Sequence, residues 1–167
     1  LERKGSSLVH MMDHLASLSR HPHSGFYLDN LEALSQILQK RNTDGHPTLL
    51  LGVSFALLDL AENFPLDLNE NITLMETGGM KGRRKEMVRA ELHETLKSAF
   101  GVRFVHSEYG MTELLSQAYS GGEGLYKCPP WMDLLVRDPN DPLSLLETGS
   151  PGGLNVIDLA NLNSCSF

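Results

Sequence analysis

Apolar residues recur along this chain with two different periods, and the switches between them predict its elements. From Ser7 to Leu18, Leu8, Met11, Met12, Leu15 and Leu18 fall on one side of a helix. His21 to Gly25 is a loop, and Asp29 or Asn30 suits the N-cap of a helix running through Leu38. Asn42 to Pro47 is a turn-rich connection. The continuous apolar run Leu49-Leu50-Leu51-Gly52-Val53 predicts a buried strand, and Phe55 to Phe64 a short helix stopped by Pro65. Ile72 to Glu76 predicts a second strand, which ends in the glycine-rich turn Thr77-Gly78-Gly79-Met80-Lys81-Gly82. Arg84 to Phe100 reads as a helix with Val88, Leu92, Leu96 and Ala99 on its buried face, and Gly101 is a stop signal. Val102 to Val105 predicts a third strand, and Leu114-Leu115 the start of another helix. The character changes at Gly121. Gly121-Gly122-Glu123-Gly124 is a flexible loop, Pro129-Pro130 breaks regular structure, and strands are expected over Met132 to Arg137 and Leu154 to Leu159.

Strand, glycine turn, helix and strand between Ile72 and Val105 have the length of one βαβ unit. The expected class is therefore α/β: a mostly parallel sheet with helices on its faces, plus a small β-rich C-terminal part. Residues 1–120 would form the α/β part, and 121–167 a β-rich continuation of the same domain. A right-handed crossover is expected to bring Gly78-Gly79 and Tyr109 to the same edge of that sheet. There are no internal repeats and no low-complexity segments.

Composition narrows the setting. With 167 residues, 41% of them hydrophobic and 21% charged, the chain is long enough for a real core and ordinary for a globular protein. A net charge of −7 argues against nucleic acid and anionic membrane surfaces as partners. The longest apolar run, Leu49 to Leu58, is too short to span a bilayer. Two cysteines, Cys128 and Cys165, make no disulfide framework, so a cytoplasmic location is expected. Leu1 is no start methionine, and Ser164-Cys165-Ser166-Phe167 reads as a strand rather than a tail; both suggest a piece of a longer protein.

Candidate chemistry concentrates at two turns. In Tyr109-Gly110-Met111-Thr112-Glu113 a ring, a hydroxyl and a carboxylate follow a strand, where open α/β sheets bind ligands. The ring suits adenine, the hydroxyl a phosphate oxygen, and the carboxylate a hard cation such as Mg²⁺. The bland alternative is a strand-to-helix turn with Thr112 as N-cap. Gly78-Gly79-Met80 alone is a tight turn, but Lys81, Arg83, Arg84 and Lys85 follow it at a helix start, where cations oppose the macrodipole. An anionic ligand or acidic partner would explain them, as would a solvated face paired with Glu86. Gly52-Val53-Ser54-Phe55-Ala56 resembles the Gly-x-Ser-x-Gly nucleophile elbow, with alanine for the last glycine. Asp67 or Glu76 as acid and His93 or His106 as base would complete a serine esterase. His10 and His14, spaced i and i+4 near His21 and His23, hint at a metal, with no compelling third ligand.

At these residues the chain resembles the adenylate-forming ligase superfamily, on Tyr109 to Glu113. Thr77-Gly78-Gly79-Met80-Lys81, Pro129-Pro130-Trp131 followed by Arg137-Asp138-Pro139, and Gly149 to Asp158 are similar to one branch, the acyl-protein synthetases or long-chain-fatty-acid–luciferin-component ligases. The likeness runs through essentially the whole chain, which resembles a middle part of the large N-terminal domain. It implies ATP-dependent, AMP-forming activation of a fatty or other carboxylic acid, with transfer of the acyl group to a thiol or acceptor protein. ATP, AMP and Mg²⁺ are the implied cofactors. Tyr109 would stack on adenine within Tyr109-Gly110-Met111, Thr112 would contact the α-phosphate, and Glu113 would hold Mg²⁺. Gly78, Gly79 and Met80 would line the adenosine side, and Gly52, Val53 and Ser54 would lie near the acyl pocket. The resemblance also implies a phosphate loop before Leu1 and a ribose-binding aspartate beyond Phe167, so the separate 167-residue chain is expected to be impaired. The remaining alternative is a nucleotide-binding module without chemistry.

Overall fold

The computed structural model describes residues 6–163, so the readings of Cys165 and of a strand at Ser164–Phe167 lie outside the described residues. The chain forms two compact units, one ending at Val105 and the other beginning at His106. Together they are α/β with a β-rich C-terminal part.

The first unit opens with α1 (Ser7–Ser19), which Ser6 caps by accepting from the Val9 amide. None of its residues is buried, and Leu15 and Leu18 of the predicted apolar stripe stand exposed. Helix α2 (Leu31–Asp44) starts where Asn30 accepts from the Ala33 amide. It runs past Leu38 as far as Asp44, into the segment expected to be turn, and stops at Gly45 in the left-handed region. Then follow β1 (Thr48–Val53), α3 (Ser54–Asn63) and β2 (Ile72–Thr77). The two strands pair in parallel, Thr48 opposite Ile72 and Val53 opposite Thr77, with α3 as their crossover. Leu50 and Leu74 of the strands, Leu57 and Leu60 of α3, and Leu96 and Phe100 of the next helix make one core. Burying each such side chain contributes about 1.5–3 kcal/mol.

That next helix, α4 (Arg89–Phe100), is shorter than predicted. Its buried face is Leu92, His93, Leu96 and Phe100, while Val88 is the N-cap residue and 70% exposed. Residues 81–88 stay irregular. Four cations at a helix start would oppose its dipole, and Arg84 instead pairs with Asp59 and Glu62 on α3. Arg83 lies over the Phe55 ring, 4.8 Å from its centre. Arg83 and Arg84 of the basic run thus find partners on α3.

The predicted strand at Val102 to Val105 is also displaced. Val105 is fully buried and Val102 packs on the core of the first unit, yet the segment is loop. Short apolar runs report burial, and burial does not require strand pairing. Strand β3 (His106–Tyr109) begins just after it, in the second unit. It pairs antiparallel with β4 (Ala118–Ser120), Tyr109 opposite Ala118, and β4 pairs antiparallel with β5 (Tyr126–Lys127). The parallel pairing expected of the sheet is thus seen in β1 and β2, whereas this meander is antiparallel. Finally β6 (Met132–Arg137) and β7 (Gly153–Asp158) form a six-residue antiparallel pair, Met132 opposite Asp158. Met132 and Val156 enclose Leu114, with Met111 and Cys128 against them.

No helix begins at Leu114. The amides of Leu115 and Ser116 donate to the side chain of Asp158 instead of to helical carbonyls. Strong tertiary acceptors thus override the local apolar pattern.

Candidate functional site

In the first unit the chemistry gathers at the end of β2. Alternation along the strand turns Leu74 and Glu76 to the buried side, so a carboxylate lies where the core meets the glycine turn. Glu76 is 2% exposed. A bare charge there would be costly, and three side chains offset it. Ser54 Oγ lies 3.4 Å from Oε2, while Arg89 Nε and His93 Nε2 lie 3.3 and 3.4 Å from Oε1. Arg89 and His93 are spaced i and i+4, which puts them on one face of α4.

The chain then leaves the strand through Gly78, whose φ of +68° favours glycine. Its carbonyl also lies 3.3 Å from Ser54 Oγ. Met80 folds back to full burial in the core. Together these residues leave a cleft of about 180 Å³, with Ser54, Glu76, Gly78, Gly79, Met80 and Arg89 among its lining. The predicted Gly78, Gly79, Met80 and Ser54 therefore share one cavity. Gly52 and Val53 are not among its lining. Arg89 escaped notice in the sequence; its signal was the i,i+4 spacing to His93 behind a strand ending in glutamate.

The same geometry corrects the esterase reading. Ser54 and His93 do converge with Glu76, but the carboxylate sits in the middle. In a working triad the imidazole stands between hydroxyl and acid. The Ser54 hydroxyl, 1% exposed, meets Glu76 and the Gly78 carbonyl and no imidazole. It is a strut of the turn rather than a nucleophile.

In the second unit Tyr109 is the last residue of β3, and its ring meets the edge of Tyr126 with centroids 6.2 Å apart. It remains 38% exposed, so the ring is only partly covered. Thr112 and Glu113 sit in a turn closed by the Leu114 amide on the Met111 carbonyl, 3.1 Å. Both side chains are exposed. Thr112 caps no helix, which removes the bland reading of this residue.

Behind the turn lies a polar cluster that the sequence did not reveal. Asp158 is fully buried at the end of β7. Its Oδ2 accepts from the amides of Leu115 and Ser116, at 3.1 and 2.8 Å. Its Oδ1 accepts from Ser116 Oγ and the Ala160 amide, at 2.8 and 3.1 Å. Burial pushes this carboxyl's pKa up, but Ser116 and the three backbone donors outweigh it and hold the acid below its ordinary range. Trp131 Nε1 donates to Ser116 Oγ at 2.8 Å. Asn161 accepts from the Leu115 amide at 3.0 Å and donates to the Glu113 carbonyl at 2.6 Å.

Among the described residues no group of three or more His, Cys, Asp or Glu could hold a metal by itself. His21 is taken up by Arg41 Nη1, 2.9 Å away, and stacks obliquely near His23 and His46. Among the described residues no helix is long and apolar enough to cross a membrane.

The chain matches no protein-family model and no curated protein sequence. Solved structures do resemble it. MatB from Rhodopseudomonas palustris, known apo and with ATP bound, is similar with 17% identity and a TM-score of 0.56, over 77% of this chain and 24% of that one. MenE from Bacillus subtilis, an O-succinylbenzoate coenzyme A synthetase in complex with ATP and a magnesium ion, is similar with 18% identity and a TM-score of 0.53, over 81% of this chain and 26% of that one. At such identity the likeness is one of fold. The chain spans about a quarter of the length of these structures, and over that span it shares their fold.

Proposed function

We propose that this chain is part of an ATP-dependent, AMP-forming carboxylate ligase of the acyl-protein synthetase kind. The observation that carries the reading is the Tyr109-to-Glu113 turn, which presents a partly exposed aromatic ring, a hydroxyl and a carboxylate at the end of a strand. The likeness of fold to ATP-bound ligases supports it. In the reaction, a carboxylate oxygen attacks the α-phosphorus of ATP and pyrophosphate leaves, giving an acyl-adenylate. A thiol, of a small carrier or an acceptor protein, then attacks the acyl carbon and AMP leaves, giving a thioester; a fatty acid is the proposed acid.

Each residue has a physical task. The Tyr109 ring stacks on adenine. Gly78, Gly79 and Met80 line the adenosine side, where the left-handed Gly78 lets backbone approach a ligand closely. The Thr112 hydroxyl donates to an α-phosphate oxygen, where charge builds during attack. Mg²⁺ shared with phosphates is held by one or two carboxylates and keeps several waters. A single exposed carboxylate such as Glu113 fits that demand, though it could not cage a metal alone. The ion would neutralise phosphate charge.

The test is binding of a non-hydrolysable acyl-adenylate analogue to the wild-type chain, Tyr109→Ala and Glu113→Gln. Loss of a stacking ring is worth about 1–3 kcal/mol, so Tyr109→Ala is expected to bind roughly 5- to 150-fold more weakly. Glu113→Gln is expected to lose the dependence on Mg²⁺. Equal affinity in wild type and Tyr109→Ala would overturn the assignment. A nucleotide-binding module without chemistry would bind the analogue but support no carboxylate-dependent ATP–pyrophosphate exchange in the full-length protein.

A further inference from the structure

We infer that Asp158 and Asn161 are positioning residues that hold the Thr112–Glu113 turn at its working geometry, an inference that rests on the ligase reading above. The turn is fastened from below in two ways. Its apolar residues Met111 and Leu114 pack on Met132 and Val156 of the β6–β7 pair. Its backbone, from Glu113 to Ser116, is held by the side chains of Asp158 and Asn161. Every grip therefore falls on either side of Thr112 or on the Glu113 carbonyl, which leaves the side chains of Thr112 and Glu113 exposed.

The hydrogen bonds cross 42 to 48 residues of sequence. They do not build secondary structure. A buried carboxylate with four donors is a costly way to close a turn that one backbone bond already closes. It makes sense where the position of the turn matters. The platform is itself tied together. Asp158 lies opposite Met132 in the β6–β7 pair, the Leu159 amide donates to the Trp131 carbonyl at 3.0 Å, and Trp131 closes the ring on Ser116. Phosphoryl chemistry depends on placing groups within a fraction of an ångström, and this network supplies such placement to a segment without helix or strand.

Two variants separate positioning from stability. Asp158→Asn turns one acceptor into a donor facing donors. Asn161→Ala is milder: it frees the Glu113 carbonyl, while the Leu115 amide keeps Asp158. Three quantities are measured on the full-length protein that contains this chain: amide hydrogen exchange at Leu115 and Ser116, affinity for Mn²⁺–ATP, and affinity for adenosine without metal. The expected result is lost protection at both amides in Asp158→Asn. Affinity for Mn²⁺–ATP should fall about tenfold in both variants, the value of roughly one hydrogen bond to an ordered group. Adenosine affinity, set by Tyr109 on β3, should change by less than about threefold on the same scale. A loss shared equally by both ligands would mean general loosening and would overturn the inference. So would unchanged Mn²⁺–ATP affinity despite lost protection. If the wild-type full-length protein protects both amides but binds neither ligand, the ligase reading fails and the network is a structural strut alone.

Discussion

Replacing Gly52 with alanine tests whether this glycine serves packing or a ligand. Gly52 lies on β1 opposite Glu76, and a Cβ there would stand 2.7 Å from both Cγ and Cδ2 of Leu57. Carbon atoms in contact normally keep about 3.5–4.0 Å, so roughly 1 Å must open between β1 and α3. Leu57 is 2% exposed and belongs to the core, so it has nowhere to move. Overpacking of this kind costs about 1–3 kcal/mol, and the entropy recovered on replacing glycine in a strand returns about 0.4–1 kcal/mol. A net loss of about 1–2 kcal/mol is expected. The partner makes the test sharp. Leu57→Ala alone should cost about 2–5 kcal/mol by leaving a cavity. In the double variant the new methyl enters that cavity, so the two losses should fall short of their sum by about 1–2 kcal/mol, within the range of contacting pairs. Urea unfolding followed by far-ultraviolet circular dichroism measures all four corners of the cycle. Additivity within about 0.5 kcal/mol would refute the argument. So would a Gly52→Ala chain of unchanged stability that no longer binds the acyl-adenylate analogue, which would return Gly52 to the substrate pocket.

Three further outcomes are expected. Asp158 titrates below its ordinary range in the fold, so its stabilisation is complete above the ordinary value and is lost as pH falls through the lower folded one. Acidification below about pH 4 should therefore lower the urea midpoint of the second unit, reported by Trp131, the only tryptophan, and Asp158→Asn should flatten that acid limb; an identical limb in the variant would refute the assignment. Arg84→Met removes the pairs to Asp59 and Glu62, which are largely at the surface, and should cost about 1 kcal/mol or less. Its larger effect should be faster proteolysis within residues 81–88, and an unchanged cleavage rate there would mean that Arg84 does not anchor the segment. A fluorophosphonate probe should leave Ser54 unlabelled, because the hydroxyl is buried and meets no imidazole; a Ser54 adduct by mass spectrometry would restore the esterase reading.

Much of the fold was legible because it follows from local periodicity. The run Leu49 to Val53 is β1 but for one residue, Ile72 to Glu76 is β2 but for one, and Met132 to Arg137 is β6 as predicted. The helices that Asn30 starts and Gly101 stops also exist, since each residue acts on its helix end by local chemistry. The misplacements share one cause. Val102 to Val105, Arg84 to Val88 and Leu114-Leu115 each carry a local preference that distant groups override: a core to fill, two acids on α3, and the carboxylate of Asp158.

The candidate site divides in the same way. The sequence by itself determined which residue types stand at the two turns, because glycine, tyrosine, threonine and glutamate each bring their chemistry wherever the chain puts them. It could also place Gly78 at a strand end, since strand length is a local property, whereas Tyr109 ends β3 and not the strand predicted over Val102 to Val105. Only the tertiary structure decided that Glu76 is ringed by Ser54, Arg89 and His93, and that Ser54 therefore braces a turn instead of attacking a substrate. Only it decided that Asp158 and Asn161 reach back more than forty residues to hold the backbone beside Glu113. The physical reason is that periodicity encodes which face of an element is buried, whereas a hydrogen-bond partner is set by which elements meet, and that follows from the packing of the whole chain.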